Sequence, residues 1–188
     1  MQGNRRYVRK RNLAPEDLKR LLGYPKENNM QLAFIFAIAY GMRIREICKL
    51  RWKNVNFQWK AFFWEDVYNK KYCEPIPDEI IEFLQEEFQK RNPASDEFLI
   101  VNSRGQQESY EILLYKCEKI MKEYSKEQCG ETIPHFHDIR RGCLTALMEC
   151  RNLKDYYRAL GLSLSENWGL LAFRGYRDRF KFCVNSKN

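Results

Sequence analysis

The chain has 188 residues, 44% of them apolar and 14% aromatic, with 33 Lys and Arg against 25 Asp and Glu for a formal net charge of +8. That much apolar material builds a core, which argues against global disorder, and the length suits one domain. The basic excess points to a polyanionic partner, nucleic acid before a membrane surface.

The longest apolar run, Leu32 to Met42, falls short of the roughly 17–20 residues a membrane-spanning helix needs, so no membrane role is expected. The basic start has no apolar stretch behind it, unlike a signal peptide. The seven cysteines are scattered, without a Cys-x-x-Cys pair. They read as thiols in a reducing cell interior, not as a disulfide framework. His135, His137 and Cys143 are poorly spaced for zinc, and neither a metal nor another cofactor is expected.

Residues 1–12 carry Arg5, Arg6, Arg9, Lys10 and Arg11 with no acid, and form either a solvated tail or an arm for a phosphate backbone. Residues 13–188 make the domain. Pro15, Glu16 and Asp17 open a first helix that Gly23 and Pro25 close. A helix apolar nearly all round covers Asn29 to Tyr40, and Gly41 ends it. A short helix over Ile44 to Leu50 follows. Phe57, Trp59, Phe62, Trp64 and Val67 are strand formers, and Asn69-Lys70-Lys71 is a polar tip, so Val55 to Pro75 reads as two or three short antiparallel strands.

From Pro77 an amphipathic helix turns Ile80, Ile81, Phe83, Leu84 and Phe88 inward and Glu82, Glu86 and Glu87 outward. Asp96 to Val101 is extended. Helices follow over Gln107 to Tyr124, His137 to Cys150, Leu153 to Leu160 and Trp168 to Phe173. The fold class is mainly α with one small antiparallel β-sheet.

Two strings carry chemistry. In Gly41-Met-Arg-Ile-Arg-Glu-Ile-Cys-Lys-Leu-Arg-Trp52, Arg43 sits where a buried helix breaks at glycine, and Glu46 is spaced to orient its guanidinium. In His137-Asp-Ile-Arg140, spacing i, i+3 puts imidazole and guanidinium on one helix face. Alone, each is matched as well by ordinary surface residues. Together and in this order they resemble the tyrosine recombinase (phage integrase) family. Residues 41–52 fit its first box, Gly-Leu/Met-Arg-x-x-Glu-Leu/Ile-x-x-Leu-x-Trp, and His137 with Arg140 fits its His-x-x-Arg box. The hairpin after the first box, Glu74-Pro-Ile-Pro-Asp-Glu-Ile and Phe98-Leu-Ile-Val-Asn-Ser-Arg-Gly resemble the family too, over about residues 13–180.

The resemblance implies a tyrosine recombinase catalytic-domain fold. It also implies a site-specific recombinase or integrase of a virus, plasmid or other mobile element, acting on double-stranded DNA and self-associating there. A tyrosine would attack a phosphodiester to leave a 3′-phosphotyrosyl link, without metal or ATP. Arg43 and Arg140 would hold the charge on the non-bridging oxygens. Lys70 or Lys71, with Lys70 preferred, would protonate the leaving 5′-oxygen, and His137 would bind the phosphate or handle the nucleophile's proton. The nucleophile comes late in the chain. Tyr176, among Arg174, Arg177 and Arg179, fits better than Tyr156 or Tyr157, which sit in a helix. The sequence departs from the pattern at Arg141 and Leu162, where the family often has histidines, and in its short hairpin. Trp168 is either a substitute for the second histidine or a packing residue. These departures keep open an alternative, an integrase-fold DNA-binding protein without activity.

Overall fold

A computed structural model describes residues 13–66, 68–127 and 134–164. The basic arm, Trp168, Tyr176 and the helix expected over Trp168 to Phe173 lie outside the described residues. The rest is mainly helical with one three-stranded antiparallel sheet, as the patterning implies.

Helix α1 (Pro15–Leu22) starts on its proline, and the Asp17 carboxylate takes the Ala14 N–H at 3.2 Å. Helix α2 (Asn28–Tyr40) is the central element. Every residue from Leu32 to Tyr40 is buried, because α1, two later helices and Phe62 of the sheet cover its sides. Gly41 ends it at φ +58°, a left-handed conformation that glycine adopts without Cβ strain, and the Met42 N–H turns back to the Phe36 carbonyl at 3.3 Å.

Helix α3 (Ile44–Ile47) is shorter than the expected Ile44 to Leu50. The chain must become extended there. The Leu50 carbonyl accepts from Leu99 N–H at 2.9 Å, and Trp52 N–H donates to Glu97 at 3.0 Å. That pairing, with a bridge between Arg51 and Phe98, makes residues 96–101 the extended segment the sequence implied. Strands β1 (Val55–Asn56), β2 (Ala61–Glu65) and β3 (Lys71–Pro75) follow, with Phe62 opposite Glu74 and Trp64 opposite Tyr72. Phe62 packs on Phe36 and Tyr40 at ring-centroid distances of 4.9 and 5.3 Å, so one sheet face lies on α2.

Helix α4 (Asp78–Arg91) buries Ile80, Ile81 and Leu84 and exposes Glu82 and Glu86. Glu87 departs from the expected outward face. It is buried, because Asn28 and Lys90 donate to its carboxylate at 2.7 and 3.2 Å where α4 meets the start of α2. Helix α5 (Tyr110–Glu127) begins three residues after Gln107, whose side-chain amide instead donates to the Cys48 carbonyl at 2.9 Å. Ser109 takes the cap, its hydroxyl accepting from Ile112 N–H at 3.2 Å.

Helices α6 (Phe136–Glu149) and α7 (Leu153–Ala159) close the described fold. Gly142 lets α6 approach the chain before α1, since a Cβ there would lie 2.8 Å from the Leu13 carbonyl oxygen. None of the described helices is long and apolar enough to cross a membrane.

Candidate functional site

The site grows from the break between α2 and α3. Arg43 is the last extended residue before α3, and its N–H donates to Glu46 Oε2 at 2.7 Å. Its Nη1 donates to Glu46 Oε1 at 3.2 Å. The Glu46 side chain is 3% exposed and that of Arg43 is 38% exposed. The carboxylate is therefore a buried anchor, and it holds one edge of a guanidinium that still meets solvent.

Arg140 reaches the same break from α6. Its Nη1 donates to the Gly41 carbonyl, two residues before Arg43. Gly41 thus turns the chain at positive φ and receives Arg140. It also leaves room for Cys143, whose Sγ would lie 3.1 Å from a Cβ at position 41. Two permanent positive charges from segments about a hundred residues apart are tied to one three-residue joint.

His137 is exposed on α6, one turn before Arg140. Arg45, two residues from Arg43, is aimed elsewhere, its guanidinium lying 4.7 Å from the centre of the Tyr110 ring. Arg141 pairs with the buried carboxylate of Asp138 at 3.1 Å, and Leu162 is buried. His135 turns to Glu118, Nδ1 to Oε2 3.1 Å, while Cys143 is fully buried under Gly41. Among the described residues, no group of three or more His, Cys, Asp or Glu side chains could hold a metal ion.

Lys70 and Lys71 lie on a separate element, the β2–β3 hairpin. Lys71 is the first residue of β3, opposite Glu65, and Lys70 is in the turn with its ammonium 5.4 Å from the Tyr72 ring centre. Tyr156 and Tyr157 are fully buried on α7. The Tyr156 hydroxyl donates to the Ile38 carbonyl at 2.5 Å, and burial pushes its pKa well above the usual tyrosine value. Neither ring presents an oxygen to a molecule at the surface.

The described parts of the fold are those of a known group. A family model for the phage integrase family matches residues 11–161. The chain belongs to that family. No curated protein matches it. Among solved structures, XerA recombinase superposes with a TM-score of 0.61 at 16% identity, over 97% of this chain and 66% of that one. The integrase from mycobacterium phage Brujita gives 0.57 at 16% identity, over 85% and 52%. The lambda integrase catalytic core gives 0.55 at 16% identity, over 81% and 95%. The chain therefore spans about half to two thirds of the first two proteins and nearly all of the lambda catalytic core. Such distant identities speak for the fold.

In this integrase-family chain, the sequence signals singled out Arg43, Glu46 and Arg140, and the structure brings these three to one joint. The signals missed the Gly41 carbonyl as the anchor of Arg140, because no side-chain pattern marks a carbonyl acceptor.

Proposed function

We propose that this chain is the catalytic domain of a site-specific recombinase that cleaves and rejoins double-stranded DNA through a 3′-phosphotyrosyl intermediate. The observation that carries the reading is the double tie of Arg43 and Arg140 to the Gly41–Arg43 joint. Two fixed, forked cations suit the two non-bridging oxygens of one phosphate, whose charge grows as a fifth oxygen approaches. Glu46 fixes Arg43 without exposing its own charge to the DNA.

In the proposed step, the Tyr176 oxygen forms a bond to phosphorus as the bond from phosphorus to the 5′-oxygen breaks. The phenolic proton passes to His137, and the departing 5′-oxygen takes a proton from Lys70. The free 5′-hydroxyl later attacks the phosphotyrosyl link and returns the proton. Tyr176 and Trp168 lie outside the described residues, so their parts rest on chain order. Tyr176 is the candidate nucleophile and Trp168 the candidate stand-in for a histidine. The charge excess supports DNA as the partner, with self-association on it, and the basic arm 1–12 extends the electrostatic footprint.

The test is a suicide DNA substrate resolved on a denaturing gel. A covalent adduct is expected with the unmutated chain, mapping to Tyr176, and none with Tyr176→Phe. An adduct that persists in that variant sinks the nucleophile assignment. Deleting residues 1–12 should flatten the salt dependence of DNA binding, by about 0.9 in log–log slope for each phosphate that the arm neutralises. A second reading, a binder without activity, is favoured by Leu162, a buried apolar residue where the family often has a histidine. Retarded DNA with no adduct would establish it.

A further inference from the structure

The tip of the β2–β3 hairpin is organised around one carboxylate. Asp66 Oδ1 accepts the backbone N–H of Tyr68 at 2.8 Å and of Lys70 at 3.0 Å, and Oδ2 accepts the Tyr72 hydroxyl at 2.9 Å. The backbone of Asp66 adds two bonds, donating to the Lys70 carbonyl at 3.0 Å and accepting from Asn69 N–H at 3.1 Å. Asn69 takes the left-handed conformation, φ +60°, that closes the turn. Five hydrogen bonds therefore tie Asp66 to Tyr68, Asn69, Lys70 and Tyr72.

Tyr72 is itself held. Its ring stacks on Trp64, centroids 4.5 Å apart and planes 20° from parallel, and Trp64 is buried. The Lys70 ammonium lies over this ring at 5.4 Å, within reach of a cation–π attraction. Neighbouring strand residues point to opposite faces. Lys71 is exposed with Cys73, whereas Tyr72 and Glu74 are buried on the face that holds Trp64 and Phe62. Phe62 on that face packs on Phe36 and Tyr40 of α2, the helix whose end leads into Arg43. The ammonium of Lys70 is thus on the arginine side of the sheet, and the side chain of Lys71 starts from the other side.

We propose that Asp66 is a positioning residue that, through the backbone of Lys70 and the ring of Tyr72, presents Lys70 and not Lys71 to the leaving 5′-oxygen. The inference rests on the strand-transfer reading above. Asp66 does not meet the DNA. It restricts where the Lys70 ammonium can be when the phosphate arrives.

The test compares two DNA substrates, cleaved by the full chain, that differ in one atom. One carries the ordinary 5′-oxygen at the scissile phosphate and the other a 5′-bridging sulfur, which leaves as a thiolate without a proton. Lys70→Ala should lose about 10²-fold or more on the oxygen substrate and little on the sulfur one, since a general acid contributes about 10²–10⁴-fold. Asp66→Ala should show the same pattern, with up to about 10²-fold loss on oxygen, the cost of misplacing a catalytic group by about 1 Å. Asp66→Asn keeps an acceptor for both N–H groups and should restore most of the rate. Tyr72→Phe should lose a few fold on oxygen alone, on the order of one restraint among several. Equal losses by Asp66→Ala on both substrates would show a merely structural role and overturn the inference. A sulfur-rescued loss in Lys71→Ala would overturn the choice of lysine. No cleavage of either substrate by the unmutated chain would overturn the strand-transfer reading, and this inference with it.

Discussion

The arginine joint and the hairpin tip both hold a cation in place, by opposite means. At the joint, the anchors are buried: the Glu46 side chain is 3% exposed, and Gly41 lies inside the core. At the tip, Asp66 is half-buried and Lys70 is exposed, and the bonds that the Asp66 carboxylate makes in the turn are local, within six residues. A group that stabilises charge through permanent positive charge gains from a fixed geometry. A group that gives up a proton, the part proposed for Lys70, needs access to the atom that receives it, and an exposed ammonium beside an aromatic ring has that access.

The largest expected effect tests the joint. Arg43→Ala or Arg140→Ala should cut strand cleavage by about 10²–10³-fold, since one lost donor to a developing oxyanion costs about 2.7–4 kcal/mol. Arg45→Ala, whose guanidinium stacks on Tyr110, should cost far less. Equal losses at Arg43 and Arg45, measured as single-turnover adduct formation, would break the distinction between a fixed clamp and its neighbours.

Gly41→Ala should destabilise the fold by about 1–3 kcal/mol, because it places a Cβ at φ +58° and brings it to 3.1 Å from Cys143 Sγ. Urea unfolding measures the loss, and a neutral result would show that the joint relaxes as readily as a surface turn.

Tyr156→Phe removes the hydroxyl that reaches the Ile38 carbonyl behind the joint and should cost about 1 kcal/mol near neutral pH. Its effect on pH dependence has a definite sign. Burial raises the pKa values of Tyr40 and Tyr156 well above the usual tyrosine value. An unfolded tyrosine ionises near pH 10, while these two keep their protons. Their stabilisation is complete below that pH and is lost as pH rises further. Unfolding curves from pH 8 to 11 should fall more gently for Tyr156→Phe than for the unmutated chain.

The smallest effect needs no mutation. Cys73, exposed on the hairpin strand, should react with a thiol reagent in the native state, although burial raises its pKa. Cys143, fully buried under Gly41, should react only on unfolding. Comparable rates would show that the joint opens as freely as the hairpin.

How much of this was legible beforehand differs between the same two regions. The α2 helix was written in its unbroken apolar run, and its end in Gly41. The first box and His-x-x-Arg named Arg43, Glu46 and Arg140, because they are side-chain patterns at short spacing. The hairpin was legible as strands and a polar tip, but its organiser was not. Asp66 acts on backbone groups, and those leave no trace in side-chain periodicity. Glu87 was misread as solvent-facing because its neighbours Glu82 and Glu86 are exposed, whereas its burial depends on Asn28, 59 residues away.

The sequence by itself determined the element types, the basic character and the family boxes, since propensity, capping and charge act over a few residues. Only the tertiary structure decided that Arg140 grips the carbonyl of Gly41, 99 positions earlier. It also decided that α3 stops at Ile47 so that Leu50 can pair with Leu99. These pairings join distant segments, and they exist only once α2 has been buried and α6 has closed over it, bringing a donor and an acceptor that share no local pattern within bonding distance.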